Sequence, residues 1–405
     1  MKNNNIYENY LQLTKNYEHY LQKKIPLCAA ETHCSDAVRA ALSSSFEGKY
    51  CMNNLGYNMQ LDFVGSQYIH ELFELLSRQC EKTFGSKYAD ARTLSGMNCM
   101  SIVINSLLQK GNRVLLSSPA QGGHPSIPLL LSLANITYDE IPYDYDNFDI
   151  NYTRLNELLI SKHYDGIIFA QSDILKPADV SKIKDQNILI IYDATQTYGM
   201  IAAHIHKNPL DYHENLVLIG GTHKTVPGPT CGLILLRNES LISRIDTKIS
   251  PSFLRNVQPN AIAGVLIALI EQERFGKQYQ KTTIENANYL GEMLTRYGFI
   301  VAKLSPEVYT NTHQIFILTD ERMKNTIVNN AHKYAVTLNG KEKRLFKGNG
   351  IRIGTQEVTL YGWSKEEMKI TAELISALSE TGVKDCKIIP LLNKLAHKKQ
   401  RVFQL

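Results

Sequence analysis

The sequence of 405 residues is too long for a single hydrophobic core and suits a two-domain globular protein, with 43% hydrophobic and 20% charged residues. Its formal net charge of +5 is spread along the chain, which disfavours nucleic-acid binding, and no apolar stretch has the length of a signal peptide or a membrane span. Seven scattered cysteines without a C-x-x-C pair fit reduced thiols in the cytoplasm and argue against a disulfide framework or a metal site.

The first quarter of the chain is expected to be mainly helical. Residues 6–24 have the apolar spacing of an amphipathic helix, and a loop rich in Asn, Gly and Tyr follows over 47–66. A long helix is expected over 69–84, where Gly85 ends it. A Ser-Gly pair then opens another helix, which we expect over 97–109.

Strands and helices alternate in the middle of the chain. Continuous apolar runs predict strands at 114–118, 136–141, 166–170, 188–193, 216–219 and 232–236. Helices are expected between them at 125–133, 154–161 and 177–185. Apolar strands that alternate with helices indicate a mostly parallel sheet covered on both faces, and ligands bind at the carboxyl ends of such strands.

The last part of the chain predicts a second, smaller α+β domain. A helix over 261–274 leads into it, and it contains strands at 313–318 and near 350–355. The sequence therefore predicts an α/β protein in three parts: an N-terminal helical segment over 1–35, a large ligand-binding domain over 36–280 and a small C-terminal domain over 281–405.

The segment LVLIGGTHKTVPGPTCGLILL, residues 216–236, holds Lys224 in a turn between two apolar strands. Removal of water from such a lysine lowers its pKa and makes the amine nucleophilic, which favours formation of a Schiff base. A solvated lysine in a surface hairpin is the alternative, because most lysines are surface residues.

Four other features lie where a ligand site is expected. Asp193 ends the strand over 188–193, and Ser95-Gly96-Met97 opens a helix whose free N–H groups and dipole favour a phosphate. His124 follows two glycines that permit the close approach of a ligand. Arg352 lies in an apolar GIRIG run, where its planar guanidinium suits a carboxylate better than an ordinary salt bridge. Simpler interpretations exist for three of these features: Asp193 could be an ordinary turn aspartate, Ser95 a helix N-cap and His124 a structural histidine.

These segments resemble, in the same order, those of the serine hydroxymethyltransferase family. The resemblance runs from about Ile25 to Leu374 and is carried by IPLCAAET (25–32), FGSKYADARTLSGMNCM (84–100), GGH (122–124), YDATQ (192–196), GGTHKTVPGP (220–229) and GIRIGT (350–355). It implies a pyridoxal phosphate (PLP)-dependent transferase of fold type I, with a mostly parallel sheet in a large PLP-binding domain and a smaller α+β C-terminal domain. It also implies PLP bound covalently to Lys224, and a homodimer with shared active sites.

The resemblance assigns roles to individual residues. Lys224, His124 and Asp193 would be catalytic, with Asp193 paired to the pyridine nitrogen and His124 stacked on the ring. The cofactor-binding set would be Ser95, Gly96, Met97, His124, Asp193, Gln196, Thr222, His223 and Lys224. The amino-acid substrate would be bound by Arg352, Glu31, Ser172 and Tyr50, of which Tyr50 would reach the site of the neighbouring subunit. No metal, nucleic acid or membrane takes part.

Several residues depart from the hydroxymethyltransferase pattern, mainly around the folate pocket. They are Ala30, Met52, Asn58-Met59-Gln60-Leu61, Pro119, Gln196 and the segment 343–347, which replaces a Pro-Phe flap. The L-threonine transaldolases within the wider family are more similar, because they share THKTVPGP, the Thr-His-Gln at 312–314 and the Gln-Ser at 171–172.

The resemblance and its departures together predict the reaction. We expect an aldolase or transaldolase that makes or breaks the Cα–Cβ bond of a β-hydroxy amino acid through a glycyl quinonoid, without folate, and that takes an aldehyde as a second substrate. A folate-dependent glycine/serine hydroxymethyltransferase is one alternative. A PLP enzyme acting on another Cα bond, such as a racemase, decarboxylase or aminotransferase, is the other. An inactive regulator is disfavoured because Lys224, Asp193 and Arg352 are all present.

Overall fold

The computed structural model describes residues 5–51 and 64–405, so the departures at Met52 and over 58–61 lie outside the described residues. The helices are α1 Ile6–Lys23, α2 Asp36–Leu42, α3 Gln67–Phe84, α4 Gly96–Leu107, α5 Ile127–Leu133, α6 Tyr152–Ser161, α7 Tyr198–Ala202, α8 Glu239–Lys248, α9 Pro259–Arg296, α10 Glu321–Lys333, α11 Gln356–Leu360, α12 Lys365–Leu378 and α13 Asp385–Ala396. The strands are β1 Ile25–Pro26, β2 Tyr88–Asp90, β3 Arg113–Leu116, β4 Thr137–Glu140, β5 Tyr143–Asp144, β6 Asp149–Ile150, β7 Gly166–Phe169, β8 Leu189–Asp193, β9 Leu216–His223, β10 Pro227–Leu236, β11 Ile300–Val301, β12 Gln314–Thr319, β13 Val336–Thr337, β14 Asn339–Lys343 and β15 Gly348–Gly354.

A seven-stranded sheet forms the centre of the large domain, in the order β2-β10-β9-β8-β7-β3-β4. The five strands from β9 to β4 are parallel, and β10 is antiparallel to both of its neighbours. Because the parallel strands share one direction, their carboxyl ends meet at one edge of the sheet, where Asp193 ends β8. The mostly parallel sheet predicted from the apolar runs is confirmed.

Side chains from alternate positions of these strands fill two separate cores, as the two-residue period of a strand requires. One face, with Leu115, Ile167, Ile190, Leu218 and Leu235, belongs to a core that also includes apolar residues of α3 and α9. The opposite face, with Val114, Leu116, Ile168, Ile191 and Ile219, packs with apolar residues of α4 and α8. Both faces are covered, which explains why the strands read as continuous apolar runs.

The lysine turn and one predicted helix differ from the sequence analysis. The two strands around Lys224 are longer than predicted, because β9 runs to His223 and β10 begins at Pro227. The helix expected over 177–185 is wrong, and only a 3-10 turn, Val180–Lys182, is present there. The side chain of Asp179 accepts a hydrogen bond from Ser181 N–H, a local contact that favours a turn over a longer helix.

The small domain contains an antiparallel sheet of order β11-β12-β15-β14, with β14 at its edge. A third core joins this sheet to α12, α13 and the second half of α9. Helix α9 is continuous through residue 280, the expected domain boundary. Strand β1 pairs with β13, and Ile25 and Leu27 are buried in the same core. Within the described ranges, no helix combines the length and apolar character needed to cross a membrane.

A buried ion-pair network fixes the turn that precedes α4. The Arg92 guanidinium is bonded to Asp90 (2.7 Å) and Asp246 (2.5 Å), and all three side chains are almost completely buried. We expect Arg92→Ala to lower the free energy of unfolding by about 3–5 kcal/mol, because two buried carboxylates lose their guanidinium partner. Denaturant unfolding followed by circular dichroism measures this loss. Arg113→Ala, which breaks an exposed pair with Asp139, is the control, and an equally small loss in both variants would contradict the prediction.

Candidate active site

Lys224 is the first residue of the short connection between β9 and β10. Its backbone oxygen accepts a hydrogen bond of 2.6 Å from the Thr32 hydroxyl, which ties the lysine turn to the N-terminal segment. The side chain is half-buried. Burial lowers the pKa of Lys224 to about 8, so a substantial fraction of the amine is neutral in mildly alkaline solution. A neutral amine on a rigid turn can act as a nucleophile.

Asp193 and Arg352 are the charged groups with the largest influence on this amine. The Asp193 carboxylate raises the pKa of Lys224 and so opposes the effect of burial. The Arg352 guanidinium lowers this pKa further. Asp193 Oδ1 accepts hydrogen bonds from the backbone N–H (2.9 Å) and the hydroxyl of Thr195. Burial raises the pKa of Asp193. Its Oδ2 has no hydrogen-bond partner among the residues of 5–51 and 64–405, so it remains available to a protonated ligand nitrogen.

The N-terminus of α4 forms a cradle suited to an anion. Ser95 is the N-cap, and its hydroxyl accepts a hydrogen bond of 3.2 Å from the backbone N–H of Asn98. A Cβ at Gly96 would lie 2.7 Å from the backbone nitrogen of Gly221, so only glycine permits this close approach to β9. The N–H groups of Gly96 and Met97 belong to the first turn, which has no partners within its own helix. These donors and the helix dipole favour a phosphate.

His223 lies beside this cradle, whereas Thr222 points into the hairpin. The His223 ring is 2.9 Å from the position that a Cβ of Gly221 would take. Its Nδ1 is buried and has no hydrogen-bond partner in the described part of the chain. Burial, followed by the charge of Lys224, lowers the pKa of His223 to about 4. The Thr222 hydroxyl donates to Pro229 O at 2.8 Å, so its proton already serves the hairpin.

His124 is held in one orientation by the loop that carries it. A Cβ at Gly123 would collide with the carbonyl oxygen of Ser117, so the loop requires glycine. His124 Nδ1 accepts a hydrogen bond of 3.2 Å from the backbone N–H of Ser126. Burial lowers the pKa of His124. The ring is therefore neutral near pH 7, with its proton on Nε2, and it offers a hydrogen-bond donor.

Gln196 belongs to a hydrogen-bond network between the two domains. Its Oε1 accepts from Gln314 Nε2 at 3.1 Å, and the same nitrogen donates to Ser172 O at 3.0 Å. Gln314 Oε1 in turn accepts from the backbone N–H of Ile174. This network fixes the segment after β7 that carries Ser172, and the Gln196 side chain is buried within it.

Arg352 is bonded to groups of the protein itself. Its guanidinium makes four hydrogen bonds: Nε and Nη2 to Asn339 Oδ1, and Nη1 to Ser172 O (3.1 Å) and Asp173 Oδ1 (2.8 Å). Asp173 also binds Lys341 (2.9 Å) and Lys343 (2.7 Å). We name Arg352, Lys341, Lys343 and Asp173 the cationic cluster. Burial alone would raise the pKa of Asp173, but the three cations lower it.

Sequence reasoning missed Asp173, Lys341 and Lys343 as parts of the site. The alternation of the two lysines in β14 was the available signal, since residues two apart share a face of a strand. The structure brings Lys224, Asp193, His124 and Arg352 together. The Glu31 carboxylate is instead paired with Lys24 at 2.9 Å, and Tyr50 is exposed on the surface of the single chain. The substrate-binding roles of Glu31, Ser172, Tyr50 and Arg352 stay predictions.

Comparison with known proteins identifies the family. The family model described as serine hydroxymethyltransferase matches residues 4–375. The serine hydroxymethyltransferase of Pyrobaculum aerophilum is 30% identical over 376 residues, which cover 88% of this chain and 84% of the relative. That of Methanothermobacter thermautotrophicus is 28% identical over 396 residues, which cover 94% and 92%.

A solved structure supports the fold. The L-threonine transaldolase from Pseudomonas fluorescens, in its internal aldimine state, is similar with a TM-score of 0.89 and 21% identity, over 96% of this chain and 91% of that chain. The predicted α/β architecture with a large central sheet is thereby confirmed. Because the family model matches nearly the whole chain, this protein belongs to the serine hydroxymethyltransferase family, as an enzyme whose cofactor is pyridoxal phosphate bound covalently to a lysine.

Proposed function

We propose that Lys224 is the lysine that binds PLP and that the groups around it hold the cofactor. Three observations support this fit: the buried Nδ1 of His223 without a partner among the described residues, the first-turn N–H groups of Gly96 and Met97, and the available Oδ2 of Asp193. The first two would bind the phosphate. Asp193 would pair with the ring nitrogen, and His124 would lie against the ring.

We propose further that the enzyme makes or breaks the Cα–Cβ bond of a β-hydroxy amino acid without folate. The observation that carries this proposal is the edge formed by β14 and the turn after it, where the family has a Pro-Phe flap. Lys343 there binds Asp173, and Leu345 packs 2.8 Å from the position that a Cβ of Gly122 would take. With Lys343 paired to Asp173 here, the edge lacks the proline–phenylalanine surface against which a flat folate ring would pack. The transaldolase of similar fold provides a precedent by analogy alone.

The residues of the chain supply binding and proton transfer. PLP, when bound, supplies an electron-withdrawing ring that stabilises the electron pair left on Cα. The cationic cluster binds the substrate carboxylate and orients the Cα–Cβ bond. In the cleavage direction, the β-hydroxyl proton moves to Lys224 Nζ, the Cα–Cβ bond breaks and the hydroxyl oxygen becomes the carbonyl of an aldehyde. Nζ then returns the proton to Cα to give glycine, or Cα forms a bond to a second aldehyde carbon and the carbonyl oxygen takes the proton from Nζ to become the new β-hydroxyl.

In this scheme His124 is a hydrogen-bond donor and not the base that accepts the hydroxyl proton. Because Nδ1 already accepts from Ser126, the ring presents Nε2–H to the site. That group would donate a hydrogen bond to the substrate β-oxygen and polarise the aldehyde carbonyl in the synthetic direction. To accept the hydroxyl proton at Nε2, the ring would first have to move its own proton to Nδ1 and lose the bond from Ser126.

The test is an aldehyde assay of the purified holoenzyme with L-threonine, L-serine and glycine, each with and without tetrahydrofolate. We expect acetaldehyde from L-threonine without folate, and capture of an added aromatic aldehyde. Conversion of L-serine to glycine only in the presence of tetrahydrofolate, with the one-carbon unit recovered as methylenetetrahydrofolate, would overturn the proposal. It would support the second candidate, a folate-dependent hydroxymethyltransferase, which the names of the relatives from Pyrobaculum and Methanothermobacter favour.

We propose that the enzyme is a homodimer. Helix α1 has no buried residue in the single chain, although it carries apolar side chains that are mostly exposed, Ile6, Tyr10, Leu13 and Tyr17 among them. An exposed apolar face of this length indicates a protein partner. A second copy of the chain is the simplest one, and Tyr50 would then reach its site. Light scattering of the eluted protein should give twice the mass of the chain, and a monomer would refute the proposal.

The rate at which the apoenzyme binds PLP should rise with pH. Because burial lowers the pKa of Lys224 to about 8, the neutral amine should increase about tenfold per pH unit below pH 8 and level off above it. Asp193, Arg352, Cys28 and Asp173 are the groups whose charges act on this amine. Stopped-flow absorbance measures the rate after PLP is added at about pH 6.5 to 9.5. This range spans about 1.5 units on either side of the pKa. A rate that still rises tenfold per pH unit up to about pH 9.5, as the ordinary lysine pKa of 10.5 requires, would contradict the prediction.

A further inference from the structure

The cationic cluster has more positive than negative charge. Arg352, Lys341 and Lys343 each place a nitrogen within 2.9 Å of a carboxylate oxygen of Asp173. In the part of the chain that the structure describes, Asp173 is the only carboxylate within ion-pair distance of any of these three cations. The cluster therefore has a formal excess of two positive charges.

The geometry of β14 directs both lysines to the same place. Lys341 and Lys343 lie opposite Gly350 and Gly348 of β15, on the face that also carries Arg352 opposite Asn339. The two lysine side chains are only 19% exposed, whereas that of Lys347 in the following turn is 60% exposed. Cations withdrawn from water are costly unless negative charge compensates them, so an excess at this position indicates a missing anion.

The cluster borders the reacting part of the site. The backbone N–H groups of Ser172 and Asp173 donate to Gly122 O at 2.7 and 3.0 Å, two residues before His124. Lys343 is also one of the charges that act on the His124 ring. The lysines therefore lie on the side of the site where His124 would meet the β-oxygen, which is where the substituent on the β-carbon would extend.

We propose that the substrate carries a second anionic group, a carboxylate or a phosphate, beyond its β-carbon, and that Lys341 and Lys343 bind this group. The α-carboxylate of any amino acid compensates only one of the two excess charges. The same group would be found on the side chain of the β-hydroxy amino acid and on the aldehyde that this side chain becomes. The location of the group relative to the β-carbon rests on the proposed function, whereas the preference for a second anion rests on the cluster alone.

The first test compares equilibrium binding of isosteric amino acids to the holoenzyme by calorimetry. L-aspartate and L-asparagine have nearly the same shape and differ by one charge, and each Lys-to-Gln change removes one positive charge while it keeps a polar side chain. We expect L-aspartate to bind at least about tenfold more tightly, since charge-assisted hydrogen bonds are the stronger ones. In Lys343→Gln and Lys341→Gln the preference should fall to less than about threefold. Lys347→Gln, on the exposed turn, should keep it.

Equal or tighter binding of L-asparagine by the wild-type enzyme would overturn the inference, and this result does not depend on any variant being folded. A preference that persists in both lysine variants would also overturn it. Comparison of O-phospho-L-serine with L-serine in the same assay distinguishes a phosphate from a carboxylate, because the anion that fits the cluster shows the larger ratio.

The second test separates this inference from the proposed reaction. Glycine is supplied with benzaldehyde or with 4-carboxybenzaldehyde, and kcat/KM for condensation is compared. We expect the anionic aldehyde to be favoured, and the preference to be lost in Lys343→Gln. If L-aspartate is preferred but neither aldehyde reacts, the proposed reaction fails while the anion site stands. If benzaldehyde reacts as well as 4-carboxybenzaldehyde and L-aspartate is not preferred, the reaction stands and the anion site fails.

Discussion

Replacement of Lys224 by alanine should abolish covalent retention of PLP and lower kcat/KM by more than about 10³-fold. The wild-type amine has a lowered pKa and lies beside Asp193, and no other lysine combines these two properties among the residues that the structure describes. The variant loses both the nucleophile that binds the cofactor and the base that we propose to move the substrate proton. Alanine removes no hydrogen bond of the turn, because Thr32 bonds to the backbone oxygen of Lys224.

Borohydride reduction followed by mass spectrometry of peptides measures the attachment directly. In the wild-type protein the added mass should be found on the peptide that contains Lys224, and in the variant it should be absent. Lys162→Ala, a change at an exposed position, is the control and should keep both the label and the activity. Label that persists in Lys224→Ala, or that is found on Lys343 in the wild-type protein, would refute the assignment of the cofactor lysine.

Asp193→Asn should lower kcat by about 10²- to 10⁴-fold with little change in KM. The amide oxygen can still accept the two hydrogen bonds from Thr195, so the end of β8 should keep its conformation. The variant loses the negative charge that would keep the ring nitrogen protonated, and an NH2 donor takes the place of the acceptor Oδ2. That charge matters most when the electron pair develops on Cα, so the loss belongs to the transition state rather than to substrate binding.

Steady-state kinetics with L-threonine and a thermal unfolding curve test this prediction together. A large fall in kcat with an unchanged unfolding temperature would support the electrostatic role of Asp193. Asp211→Asn, which removes an exposed carboxylate paired with Arg237, should leave kcat unchanged. A wild-type kcat in Asp193→Asn would mean that this carboxylate does not face the cofactor nitrogen.

The parts of the fold that could be predicted are those whose pattern is local. Strands β7 and β8 are continuous apolar runs because both faces of the sheet are covered, and the helix α3 ends at Gly85 because that residue adopts a left-handed conformation. The helix expected over 177–185 could not be excluded from propensity, since the local contacts of Asp179 decide the turn that forms there.

The candidate site divides in the same way. The sequence indicated Lys224, Asp193 and the Ser95-Gly96 helix start, because neighbouring residues define where a strand ends and where a helix begins. The partner of Arg352 could not be found in this way, because Asp173 lies 179 residues earlier in the chain. An arginine within an apolar run predicts that a partner for its charge exists, but the pattern does not identify the carboxylate.

The sequence by itself determined the family and the apolar strands of the central sheet, and it supplied Lys224 as the candidate cofactor lysine, because each depends on residues that are adjacent along the chain. Only the tertiary structure decided the electrostatics of the site. It joins Asp173 after β7, Lys341 and Lys343 on β14 and Arg352 on β15 into one buried cluster. Burial and charge–charge distance set the pKa of Lys224 and the excess of cations, and both depend on which distant segments pack together.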